Sequence, residues 1–182
     1  MSEHDRDRRR VDLQDRADMQ TRMLNDLRGK TIINLADGKK IGQVDDILVD
    51  PKTLRVSGLV VNRGGMLDRE TRIVPASGVE KWGIDAILVR DANVFRSESE
   101  LPDRESWLSS SDKLNGLSIV NTEGEKIGQI DDVLIDDRGQ IVAYRVSSGG
   151  SLLGEARTRE IPAQATRTLG GDVAIFEVDP RS

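Results

Sequence analysis

The stretch Ile41-Gly-Gln-Val-Asp-Asp-Ile-Leu-Val-Asp50 recurs almost unchanged later in the chain as Ile127-Gly-Gln-Ile-Asp-Asp-Val-Leu-Ile-Asp136. Seven of the ten positions are identical, and the other three exchange Val for Ile. Because both residues are β-branched, these exchanges keep side-chain shape and strand preference. Each copy is therefore predicted to be a buried β-strand that the chain enters through a glycine. The predicted core positions are Val44, Leu48, Ile130 and Leu134.

The repeat extends beyond these two strands and defines the organisation of the chain. The matched segments are Leu27–Gly29 with Leu114–Gly116, Asn34 with Asn121, Gly64–Gly65 with Gly149–Gly150, and Val74–Ala76 with Ile161–Ala163. Such self-similarity predicts two homologous units of about 65 residues in tandem. We assign residues 1–26 to a charged N-terminal tail or short helix, 27–91 to the first repeat, 92–113 to a Ser-rich linker and 114–179 to the second repeat.

Composition disfavours several classes of function. A net charge of -5 and a pI near 5.1 repel phosphate backbones, which argues against nucleic acid as a partner. The longest aliphatic run, Ala86–Val89, is far shorter than the roughly 20 residues of a membrane helix, so we expect a cytoplasmic protein without a membrane span. The chain has no cysteine, and its one histidine is His4 in the tail. We therefore expect no cofactor, no small-molecule substrate and no catalytic residues.

Within each repeat, apolar residues follow the two-residue period of strands. In the first repeat this pattern predicts strands at 31–35, 41–50, 55–62, 71–74 and 86–90, with a helical turn or loop at 75–82. The second repeat is predicted to follow the same order. Because an open sheet of short strands would expose its edges, we expect an all-β protein made of two tandem small β-barrels.

The first 26 residues differ from the repeats. Residues 2–10 are almost all charged, which is typical of disorder. Residues 12–27 have a weak helical pattern, with Met19, Met23 and Leu27 near one face. We expect a short helix that packs on its own barrel or frays, and a partner-binding helix is the alternative.

These features together resemble the PRC-barrel family. The matching residues are Leu-x-Gly-Lys from Leu27, Asp-Gly-x-Lys-Ile-Gly-x-Val-Asp-Asp from Asp37, an aliphatic strand ending in Gly64-Gly65, and Ile-Val-Pro-Ala from Ile73. The resemblance covers residues 27 to 91 and again 114 to about 178. The family includes the cytoplasmic domain of the photosynthetic reaction centre H subunit and the C-terminal half of the RimM ribosome maturation factor. The resemblance implies a small β-barrel that serves as a docking module, with no shared catalytic residues.

The aspartate pairs Asp45, Asp46 and Asp131, Asp132 are the candidate metal ligands. Paired carboxylates can hold a divalent cation or act as acid and base. Adjacent residues in a regular strand point to opposite faces, so the carboxylates converge only at a bulge. The favoured interpretation is structural, with one Asp accepting backbone or hydroxyl hydrogen bonds and its neighbour facing water.

The segments after each Gly-Gly pair, Met66–Arg72 and Ser151–Arg159, share little between the repeats. Two copies under the same folding demand keep the same core, so divergence marks where separate surface roles accumulate. We hypothesise that Leu152 and Leu153, together with Met66 and Leu67, contact a protein partner or a second copy of the chain. The alternative is a loop folded back over its own barrel.

The sequence thus predicts a non-enzymatic protein-interaction scaffold or adaptor built from two PRC-barrel-like modules. Two alternatives remain open. An RNA-processing or ribosome-assembly factor resembling RimM would need a local basic patch that outweighs the acidic total. A weak divalent-metal-binding protein would need the aspartate pairs to converge.

Overall fold

The computed structural model describes residues 20–62, 71–149 and 157–179, which form strands and short turns. The strands are β1 (Arg22–Met23), β2 (Thr31–Asn34), β3 (Lys40–Asp50), β4 (Arg55–Asn62), β5 (Arg72–Pro75), β6 (Val79–Trp82), β7 (Ala86–Val89), β8 (Leu108–Ser109), β9 (Ser118–Asn121), β10 (Lys126–Ile135), β11 (Ile141–Ser148), β12 (Arg157–Pro162), β13 (Thr166–Leu169) and β14 (Ala174–Phe176). Short 3-10 turns lie at Leu24–Leu27, Ala76–Gly78, Ala92–Val94, Glu98–Glu100, Arg104–Ser106 and Ala163–Ala165, and a π-helical turn lies at Ser110–Leu114. Among the described residues, no helix is long and apolar enough to cross a membrane.

Strands β2–β7 form the first module and strands β9–β14 form the second module. The sheet order is β5-β4-β3-β2-β7-β6 in the first module and β12-β11-β10-β9-β14-β13 in the second. Neighbouring strands are antiparallel except for the parallel pairs β2/β7 and β9/β14. The two end strands of each sheet follow each other in the chain through a 3-10 turn, so each sheet curves into a small barrel that stays open between these strands, which have no backbone pairing among the described residues. The predicted all-β fold and the shared strand order of the two repeats are confirmed.

The prediction of a helical turn or loop at 75–82 is wrong for the second half of that segment. Ala76–Gly78 is a 3-10 turn, but Val79–Trp82 is strand β6, paired with β7. The register shifts between Val79 and Lys81. Such an irregularity interrupts the two-residue period by which a strand is recognised from sequence.

The long strand of each module has a β-bulge at its aspartate pair. The register of β3 against β4 shifts between Val44 and Asp46, and that of β10 against β11 shifts between Ile130 and Asp132. In the second module, a Cβ at Gly128 would collide with the carbonyl oxygen of Ser147 on β11. The glycine at the strand entry is therefore required because the partner strand approaches closely.

The two modules are joined at their hairpin tips by a reciprocal backbone pairing, the central bridge. Arg55 and Gln140 face each other as an antiparallel bridge. The Val56 N–H donates to the Gly139 oxygen at 2.8 Å, and the Ile141 N–H donates to the Leu54 oxygen at 2.9 Å. Because Arg55 and Gln140 occupy equivalent positions in the two repeats, the bridge lies on a pseudo-twofold axis. Leu54 has a left-handed φ of 52° where its counterpart Gly139 has 77°.

Each module also receives a short strand from outside itself. Strand β1, which precedes the first module, pairs with β10 of the second, with Met23 opposite Leu134. Strand β8, which precedes the second module, pairs with β3 of the first, with Ser109 opposite Leu48. We call β1 and β8 the exchanged arms. The helical pattern predicted at 12–27 is wrong at Arg22–Met23, which pair with β10 as a strand, whereas Leu24–Leu27 form a 3-10 turn. Residues 1–19 lie outside the described residues.

A single hydrophobic core runs through both modules and the arms. Leu24 and Leu27, which follow β1, are 1% and 0% exposed. Tyr144 and Phe176 are fully buried, with ring centroids 4.8 Å apart, which confirms their predicted place in the core. A barrel of this size buries only about 60% of its unfolded surface and is marginal alone. The shared core therefore supplies stability that one barrel lacks.

Three of the four predicted core positions are buried, but the prediction for Leu134 is wrong. Val44, Leu48 and Ile130 are 3%, 0% and 0% exposed, whereas Leu134 is only partly buried. Leu48 and Leu134 lie on the outer face of their sheets. The linker covers the Leu48 side through Trp107, whose ring lies 3.5 Å from the position a Cβ would take on Gly58, the register partner of Leu48.

We expect truncation of the two equivalent leucines to have unequal effects. Leu48→Ala leaves a cavity in a closed site and should lower the free energy of unfolding by about 2–5 kcal/mol. Leu134→Ala removes a partly solvated side chain and should cost less than about 2 kcal/mol. Urea unfolding of the two variants checks this, and equal losses would contradict the assigned difference between the two outer faces.

Candidate functional site

The carboxylate of Asp46 binds one exchanged arm to the first module. Its Oδ1 accepts a hydrogen bond from Arg28 at 2.8 Å, and its Oδ2 accepts from the Ser111 hydroxyl at 2.8 Å and from the Ser109 hydroxyl. The Ser111 N–H also donates to Oδ1, at 3.2 Å. We call these four residues the Asp46 cluster. The β3 bulge turns the carboxylate toward β8, so the cluster joins β3, the arm and the turn before β2.

The electrostatics of the Asp46 cluster favour the charged carboxylate. Burial alone raises the pKa of Asp46, but hydrogen bonds from Ser109, the Ile47 N–H and Ser111, together with the positive charge of Arg28, outweigh it. The pKa of Asp46 therefore lies below its ordinary value of 3.8. This carboxylate stabilises the fold when ionised.

Asp132, the counterpart of Asp46, has a different environment. Its Oδ1 accepts from the Asn25 N–H at 3.2 Å and from the Val133 N–H at 2.7 Å, so the backbone contact to the arm is kept. Burial raises the pKa of Asp132 above 3.8, and the charge of Asp26 raises it further. The hydroxyls and the guanidinium of the Asp46 cluster are missing because the matching positions are Met23, Asn25 and Asn115.

Three of the four predicted aspartates, Asp46, Asp131 and Asp132, thus accept hydrogen bonds from backbone or side-chain groups. Asp131 Oδ1 accepts a 2.7 Å hydrogen bond from the Ser147 hydroxyl, and Asp45 is exposed. In the described parts of the chain, no group of three histidine or acidic side chains is placed to hold a metal ion. In the first pair Asp46 accepts hydrogen bonds and Asp45 is exposed, in line with the structural interpretation, whereas in the second pair both Asp131 and Asp132 accept hydrogen bonds and neither is exposed.

The outer face of the first module consists of Leu48, Gly58, Val60 and Ile73. The linker lies against it, and the N–H and C=O of Ile73, on the edge strand β5, pair with the backbone of Arg96 at 2.9 and 2.8 Å. Ile73 is fully buried as a result. The linker therefore extends the sheet by one short bridge and shields an apolar surface.

The outer face of the second module consists of the equivalent residues Leu134, Ala143, Arg145 and Glu160. Arg145 replaces Val60 and Glu160 replaces Ile73, and the two charged groups form an ion pair at 3.8 Å. Glu160 is exposed, and Leu134 and Ala143 are partly buried. Strand β12 is the sheet edge, and within the described residues no bridge like Ile73/Arg96 forms on it.

An acidic groove lies at one end of the second module, with a volume of about 490 Å³. It is lined by Asn121, Glu123, Glu125, Glu177 and Asp179, among others. The Asn121 side chain connects the lining residues: its amide N–H donates to Glu125 Oε2 at 2.9 Å, and its oxygen accepts from the Glu123 and Glu125 N–H groups. Sequence reasoning missed this groove, because its acidic side chains come from separate segments of the chain.

The candidate interaction residues Leu152, Leu153, Met66 and Leu67 lie outside the described residues. Their segments join β4 to β5 and β11 to β12. Both segments therefore lead directly into the edge strand of their module.

Comparison with known proteins identifies the two barrels. The sequence profile of the PRC-barrel domain matches residues 19–93 and again 109–181. This chain belongs to the PRC-barrel domain family. Each matched PRC-barrel segment begins before the first strand of its module; the first includes the whole of β1, and the second begins within β8, at Ser109.

A curated relative of this PRC-barrel protein is the Probable sporulation protein YlmC of Bacillus subtilis. The two are 26% identical over 72 residues, which are 37% of this chain and 89% of the relative. The relative is therefore about the size of one PRC-barrel module. The similarity supports a single module as the unit of the family.

In this PRC-barrel protein, replacing each of the two aspartates under the exchanged arms by asparagine should affect the free energy of unfolding differently. Asp46→Asn removes charge-assisted hydrogen bonds and should lower the free energy of unfolding at pH 7 by about 1–3 kcal/mol. Asp132→Asn removes a charge that burial disfavours and keeps an oxygen acceptor, so stability at pH 7 should be unchanged or higher.

The pH dependence separates these effects. Because the pKa of Asp46 is lowered in the folded state, its contribution is present above 3.8 and is lost as the pH falls through the folded pKa. The deficit of Asp46→Asn relative to the parent should therefore shrink on acidification. For Asp132 the pKa is raised, so its destabilising effect should appear as the pH rises through the folded pKa. Equal deficits for the two variants in urea unfolding at pH 7 would refute this assignment.

Proposed function

We propose that this PRC-barrel protein is a cytoplasmic, non-enzymatic adaptor. Its second module would bind an extended segment of a protein partner along β12 and over the adjoining outer face. The observation that carries the proposal is the bridge between Ile73 and Arg96 in the first module, because it shows how an extended segment adds to this edge of the barrel.

The edge of the second module has the same hydrogen-bonding geometry. Glu160 lies opposite Arg145 as Ile73 lies opposite Val60. Since Ile73 directs its N–H and C=O away from β4, Glu160 in the same register directs its own away from β11. Strand addition at such an edge gives affinity through backbone hydrogen bonds and specificity through side-chain contacts.

The surface chemistry supports a polar partner segment. The apolar Val60 and Ile73 of the first module are matched by Arg145 and Glu160 in the second, so this face has diverged while the core has been kept. Surface divergence between two copies of one fold is typical of a separate binding role. The hypothesised contact residues Leu152 and Leu153 precede β12 in sequence and would add apolar anchors next to the same edge.

We expect Ala143→Arg to weaken partner binding. The added side chain would occupy the outer face between Leu134 and Arg145, and a loss of about 1.4 kcal/mol corresponds to tenfold weaker binding. The measurement is quantitative affinity capture of the tagged full chain from its native cell. Leu152→Asp with Leu153→Asp should reduce capture of the same protein.

The matched control is Thr168→Arg, which places the same side chain at an exposed position on β13. Both arginine variants should melt within a few degrees of the parent. A captured protein supports the proposal only if Ala143→Arg loses it and Thr168→Arg retains it. Equal capture by both variants would rule out the outer face of the second module as the docking surface.

A further inference from the structure

The pseudo-twofold arrangement assigns an occupant to the outer face of the second module from within the chain. Linker residues lead into β8 after crossing the outer face of the first module. Strand β1 is the equivalent of β8, with Met23 opposite Leu134 as Ser109 is opposite Leu48. The segment that precedes β1 is therefore the equivalent of the linker: it leads into the arm of the second module as the linker leads into the arm of the first.

We propose that the N-terminal segment, residues 1–19, binds the outer face of the second module and bridges β12 at Glu160. This deepens the proposed function, since the segment would compete with a partner for that face. It is an intramolecular interaction at a surface that the described residues leave without an edge partner.

The N-terminal segment is long enough to follow the course over the second module that the linker takes over the first. Arg96, which bridges Ile73, precedes the first residue of β8, Leu108, by twelve positions. The residue twelve positions before Arg22, the first residue of β1, is Arg10. Nine further residues precede Arg10, so the chain is long enough to reach the edge of β12.

Charge complementarity also favours this occupant. The apolar outer face of the first module is covered by a linker that carries Val94, Phe95 and Trp107. The second module presents Arg145 and Glu160 at the matching positions, and residues 5–10 read Asp-Arg-Asp-Arg-Arg-Arg. A segment with both signs of charge can pair with both groups of this face, whereas the apolar side chains of the linker could not. The partly buried Leu134 would pack against Val11 or Leu13.

The cysteine-free chain allows a direct test by disulfide formation. Single cysteines at Arg8, Arg9, Arg10 and Val11 are each combined with Glu160→Cys in the full-length chain. A disulfide requires Cα atoms within about 7 Å, so only a docked segment brings the pair together. We expect one or two adjacent positions, centred on Arg10, to form an intramolecular disulfide at least about tenfold faster than the control series.

The control series replaces Glu160→Cys with Lys40→Cys, at an exposed position of the first module. Formation at the control rate for all four positions would overturn the proposal. Formation of disulfide-linked dimers instead would assign the face to a second copy of the chain and would also overturn it.

Amide hydrogen exchange gives an independent readout on the unmodified protein. The Ile73 N–H is bonded to Arg96 and serves as the internal standard. Docking predicts that the Glu160 N–H is protected to a similar degree, and exchange at the unprotected rate would contradict it. Both measurements use purified protein without a partner, so failure of the adaptor proposal leaves their result unchanged. Failure of docking leaves β12 available to a partner.

Discussion

The reciprocal pairing of the two hairpin tips is the contact on which the rest of the structure depends. At the central bridge, Val56 and Ile141 donate to Gly139 and Leu54 across a pseudo-twofold axis. A single barrel of this size has too little interior to be stable alone. Pairing at the axis fixes the two barrels so that their interiors form one core. The chain therefore behaves as a covalently linked pseudo-dimer of one module.

The exchanged arms follow from the same symmetry. Each arm precedes one module in sequence but pairs with the long strand of the other, so neither module is complete without its neighbour. The carboxylate beneath each arm, Asp46 or Asp132, is held by the β-bulge of that strand. The second aspartate of each duplicated pair is thus explained by arm attachment. The loss of Arg28 and Ser109 equivalents around Asp132 shows that the two attachments have diverged in strength.

The sequences of the two modules differ on their outer faces, where neither the shared core nor the strand pairing fixes the residue type. The same sheet position carries Ile73 under a covering linker and Glu160 at an exposed edge. Burial of an ionised group without compensation is costly, so the charged side chain occurs on the face that the linker does not cover. One fold thereby presents two chemically different outer faces in one chain.

The sequence by itself determined the duplication, the all-β class and most strands, because β-branched alternation and turn glycines are local signals. It also identified the PRC-barrel family and predicted a structural role for one aspartate of each pair, without deciding which one. The extended arm at Arg22–Met23, the exposure of Leu134 and the acidic groove were decided by tertiary structure. Each depends on which segment lies over a surface, and residues far apart in sequence decide that. Leu48 and Leu134 occupy matching positions in nearly identical strands, yet among the described residues only the first lies under a linker, so their burial differs.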